Sequence, residues 1–193
     1  MARRKWKNGF SDKQGFTFIE IIIVLAVCGI LCIVAIPMFS RYLDQCRIKV
    51  AMMQIIEMLK EGKLRALDGE DNAVVINVEK STVTLVGGKG PDGRWNTDDD
   101  IVVRTFRLKD KGGGLKFGYG SYGPIKHGEK SDAAQADGVT FEYNRIVCND
   151  DMTGNLGAVY IISSSGVAMA MTVNRESYWH TLYTWNGKEW VKN

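Results

Sequence analysis

Glu20 is the residue whose type and position most demand chemistry. It stands at the edge of a 19-residue apolar run, Ile21 to Phe39, that contains no other charge. An ionisable side chain costs about 2.5 to 3.5 kcal/mol or more at a bilayer centre, so a carboxylate there is a candidate functional group that needs a partner.

A second candidate is the loop Gly90-Pro91-Asp92-Gly93-Arg94-Trp95-Asn96-Thr97-Asp98-Asp99-Asp100. Hard oxygen donors crowded into a turn suit calcium, which takes six to eight oxygens in flexible geometry, and Asp92, Asp98, Asp99 and Asp100 are its candidate ligands. The spacing is not that of an EF-hand. The competing reading is a solvated turn in which aspartates cap their own backbone.

Other motifs carry less. Gly118-Tyr119-Gly120-Ser121-Tyr122-Gly123 spells a dinucleotide fingerprint, but that motif must open a helix after a strand, and here Pro124 follows a glycine-rich loop. His127 and His180 stand alone, and Ser163-Ser164-Ser165 lacks the setting of a nucleophile elbow. No catalytic constellation is visible, and the expectation is a protein that is not an enzyme. Cys28 and Cys32 lie one turn apart inside the apolar run and read as small apolar side chains. Cys46 and Cys148 are a candidate disulfide in an oxidising compartment. Their separation is not readable from sequence.

The elements that position Glu20 are a basic leader and a membrane helix. Residues 1–15 carry Arg3, Arg4, Lys5, Lys7 and Lys13 against Asp12. By the positive-inside rule, that end stays in the cytoplasm and the remainder crosses outward. From Phe16 to Phe39 there are 24 residues, enough to span about 30 Å of hydrocarbon. A secretory signal peptide would have a shorter core and a small-x-small cleavage site, which Ala26-Val27-Cys28 fits poorly. A lipoprotein signal meets bulky Val27 before Cys28, and a twin-arginine signal has only Arg3-Arg4 in its favour.

Gly15-Phe16-Thr17-Phe18-Ile19-Glu20, followed by Ile21-Ile22-Ile23-Val24-Leu25, resembles the class III signal of type IV pilins and type II secretion pseudopilins. The resemblance implies cleavage between Gly15 and Phe16 by a prepilin peptidase, N-methylation of Phe16, and a mature subunit of residues 16–193. It also implies that Glu20 of one subunit pairs with the Phe16 amine of a neighbour, and that residues 16–39 form the core of a filament. Gly29 and Pro37 are expected to interrupt the helix, since Pro removes a backbone hydrogen bond and favours a kink. The implied partners are the prepilin peptidase, other pilin or pseudopilin subunits, an inner-membrane assembly platform and membrane lipid. The implied location is the inner membrane, with the C-terminal part in the periplasm.

Beyond Phe39 the helical period continues in an amphipathic form over residues 40–68. Ile48, Met52, Ile55, Leu59 and Ala66 fall near one stripe, and Asp68-Gly69 supplies a stop. Residues 69–193 read as a β-rich globular domain, giving an α+β pilin fold with an antiparallel sheet packed on the outer half of the helix. The predicted strands are 73–78, 82–86, 101–108, 139–143, 158–163, 167–173 and 178–185, with Asn186-Gly187 turning into 189–191. The order of the last third is similar to the GspH/FimT group of minor pseudopilins and pilins, although Asn174-Arg175-Glu176 stands where that group often has a Gly-Arg turn. Trp179, Tyr183, Trp185 and Trp190 read either as core or as a contact surface.

Formal charge argues against a nucleic-acid partner once the leader is removed. Taking five basic residues and one acid from 25 and 22 leaves 20 and 21, a net of −1. That is not the electrostatic footprint of a DNA binder. A DNA-capturing minor pilin is the alternative reading, and it would need a local basic patch.

Overall fold

The computed structural model describes residues 16–95, 97, 99–125, 137–151, 153–174 and 180–193. Its first element, α1, is a 50-residue helix, Phe18–Leu67. The chain divides into two compact units, residues 1–39 and 40–193, so the helix contributes to both.

In the first unit, every described residue is exposed. This stretch has no apolar face to hide because it is apolar all round, the pattern of a helix meant for lipid or for other helices. The helix is long and apolar enough to cross a membrane. It runs through Gly29 and Pro37 without a break. In the single chain Pro37 removes one bond from a ladder that is cooperative along its length, and the helix carries on past it.

In the second unit, the rest of α1 is amphipathic, and all five stripe residues expected from sequence are buried. The helix ends as Asp68-Gly69 suggested. Gly69 takes φ 86°, its N–H donates to the Ala66 carbonyl at 3.0 Å, and the Glu70 N–H donates to the Arg65 carbonyl at 3.3 Å. Glycine at that position accepts the left-handed conformation without a Cβ clash.

Among the described residues nine strands follow: β1 Asn72–Asn77, β2 Thr82–Val86, β3 Val102–Arg107, β4 Lys116–Phe117, β5 Arg145–Cys148, β6 Gly157–Ile162, β7 Ala168–Val173, β8 His180–Trp185 and β9 Trp190–Lys192. They form two antiparallel sheets, ordered β3-β2-β1-β5 and β4-β6-β7-β8-β9. The single sheet expected from sequence is corrected to two. Both pack on one hydrophobic core with α1, which joins Ile55 and Leu59 of the helix to Val74 and Leu85 of the first sheet and to Ile161 and Met171 of the second.

The strand expected at 139–143 is not formed. Val139 makes only an isolated bridge to Val159, and Glu142–Asn144 is a 3-10 turn in which Tyr143 and Asn144 both have positive φ. The true strand is β5, displaced toward the C-terminus, and it is an edge. Its outer side is closed by Asn155, whose Oδ1 accepts the Val147 N–H at 2.9 Å and whose Nδ2 donates to the Arg145 carbonyl at 2.6 Å. One amide side chain thus takes the place of a neighbouring strand.

The C-terminal aromatics form a second small core on the outer sheet. Tyr160 is buried and meets Trp190 at 5.4 Å between centroids, while Trp185 stacks on Tyr122 at 4.7 Å. Trp190 Nε1–H donates to the Gly123 carbonyl at 3.0 Å, and the Tyr122 hydroxyl donates to the Gly166 carbonyl at 2.6 Å. Their polar groups are used to pin the Tyr119–Ile125 loop, so these rings read as packing. Trp179 lies outside the described residues.

Candidate functional site

The N-terminus of α1 is built by four residues. Thr17 is the N-cap of a helix whose first turn contains Glu20, and the two side chains satisfy each other's backbone. The Thr17 N–H donates to Glu20 Oε2 at 2.7 Å, and the Glu20 N–H donates to Thr17 Oγ1 at 3.3 Å. The Thr17 hydroxyl also donates to Glu20 Oε2 at 2.8 Å. This is a capping box, in which two orphan amides are satisfied reciprocally. A carboxylate in the first turn also favours the positive end of the helix dipole.

Sequence reasoning found Glu20 but missed Thr17. The signal was present in Thr17-Phe18-Ile19-Glu20, the T-x-x-E spacing ahead of an apolar run. The consequence is chemical: Glu20 is not bare while the chain is alone, because three hydrogen bonds within four residues hold it. The bonds to the carboxylate fall on Oε2.

Phe16 precedes the cap and is exposed, as are Gly29 and Pro37. A Cβ added at Gly29 would meet nothing within 4 Å. Gly15 lies outside the described residues.

With this geometry in place, comparison with known proteins is informative. Residues 10–36 match the family model described as the prokaryotic N-terminal methylation motif. The chain carries the methylation motif of type IV pilins. It is 34% identical over 61 residues to a type IV major fimbrial protein FimA of Dichelobacter nodosus, covering 32% of this chain and 39% of that protein. A fimbrial protein of the same organism is 31% identical over 96 residues, covering 46% and 60%. The chain thus spans about half the length of the curated relatives it matches. Among solved structures, the minor pseudopilin EpsH from the type 2 secretion system of Vibrio cholerae is similar at TM-score 0.44 and 16% identity, over 70% of this chain and 95% of that one.

The acid-rich loop is organised by its own backbone. Asp99 Oδ2 accepts the Asp92 N–H at 3.1 Å, and Asp92 Oδ1 accepts the Arg94 N–H at 2.7 Å. The Thr97 hydroxyl and the Asp92 amide hold the Asp99 carboxyl below the usual carboxylate range. Among the described residues, no three His, Cys, Asp or Glu side chains come together as metal ligands. Asp92 and Asp99 each accept a backbone amide, as the capping reading expects, and Asp98 lies outside the described residues.

The Cys46–Cys148 disulfide is corrected. Neither cysteine is in a disulfide; Cys46 is exposed and Cys148 buried. Cys148 Sγ lies 3.0 Å from where a Cβ on Gly62 would stand. Cys46 is 16 positions earlier on α1 than Gly62, about 24 Å along the axis at 1.5 Å per residue. A disulfide needs Cα atoms within about 7 Å.

One buried carboxylate was not legible at all. Asp44 is buried on α1, accepting from Arg47 Nη1 at 2.9 Å and from the Ser165 hydroxyl at 2.6 Å. Gly113 covers it so closely that a Cβ there would stand 2.5 Å from Asp44 Oδ1. The serine run that looked like a failed nucleophile elbow is the partner of a structural carboxylate.

Proposed function

We propose that this chain is a structural, non-catalytic subunit of a type IV filament, a pilus or a type II secretion pseudopilus, processed between Gly15 and Phe16 by a prepilin peptidase. The observation that carries the proposal is a hydrogen-bonded carboxylate opening a fully exposed apolar helix, inside the methylation motif. The fimbrial names of the relatives favour the pilus.

Cleavage would create a charged α-amine on Phe16 at the positive end of α1, an unfavourable place for a cation. The Glu20 carboxylate of a neighbouring subunit would balance it, and a charge-assisted pair is far stronger in lipid than in water. The capping box would let Glu20 wait in the membrane with its charge satisfied until that neighbour arrives. The basic leader would hold the N-terminus in the cytoplasm, placing residues 40–193 in the periplasm, where the inner-membrane assembly platform would add the subunit to the filament.

The test is Glu20→Ala alongside Glu20→Gln in the native host. Both are expected to insert in the membrane and be cleaved after Gly15, and both to be missing from the sheared filament fraction. Normal incorporation of Glu20→Gln, which keeps an acceptor for Thr17 but has no charge, would remove the charge-pair mechanism.

A further inference from the structure

We draw no further inference here: the strongest candidate, the outer edge of β3, which pairs with β2 on its inner side and leaves Val102 exposed, is a sheet edge unpartnered among the described residues, and nothing in the structure shows what covers it.

Discussion

The Ser165 hydroxyl donates to Asp44 Oδ2 at 2.6 Å, joining the β6–β7 turn to the helix across 121 residues of sequence. The buried carboxylate also takes Arg47, and the Gly112–Gly114 loop closes over it. Ser164 fastens that loop, its N–H and hydroxyl each donating to the Gly113 carbonyl at 3.1 Å. Ser165→Ala should cost about 1 kcal/mol and Asp44→Ala about 1 to 3 kcal/mol, because the latter removes a charged acceptor that serves both Ser165 and Arg47. Denaturant unfolding of the detergent-solubilised chain measures both.

The same carboxylate gives stability a pH dependence. Burial pushes the Asp44 pKa up, but hydrogen bonds from Ser165, Arg47 and Ser163 and the charge of Arg47 outweigh it and hold the group below its ordinary value. A depressed folded pKa means the contribution is present above the unfolded value, about 3.9, and is lost as pH falls through the folded one. Asp44→Asn should flatten the acid limb of the unfolding midpoint plotted against pH; an unchanged limb would assign that dependence elsewhere.

Thr17→Val removes the hydroxyl of the capping box while keeping a β-branched side chain of similar shape. Loss of an N-cap costs about 1 kcal/mol. Amide exchange in the first turn of α1 should therefore quicken several-fold, with residues 48–66 unaffected.

Gly157 opens β6 against the ring of Phe141, and a Cβ there would stand 2.5 Å from Phe141 Cδ1. Phe141 is fully buried and has no room to retreat. Gly157→Ala should destabilise by about 1 to 3 kcal/mol through overpacking, and Phe141→Leu in the same chain should recover part of that loss.

Thiol reactivity separates the cysteines outside the apolar run. Cys46 should alkylate rapidly in the native chain and Cys148 only on unfolding, with no mass change on reduction. A two-dalton gain on reduction would contradict the absence of a disulfide.

The local grammar of the chain was legible residue by residue. Glu20, the apolar run, the stripe from Ile48 to Ala66, the stop at Gly69 and the strand Thr82–Val86 all rest on nearest-neighbour chemistry and on period. The strand at 139–143 failed because Val139-Thr140-Phe141 alternates like a strand, while the backbone turns at Tyr143 and pairs only from Arg145 onward. Sequence by itself determined that this protein has an apolar helix beginning with a carboxylate and continuing as one amphipathic face of an antiparallel β fold. Tertiary structure alone decided that Asp44 is buried, that Ser165 and Arg47 answer it, and that Cys46 and Cys148 never meet. Those outcomes depend on which distant segments the two sheets bring to the helix, and periodicity along a chain carries no record of such contacts.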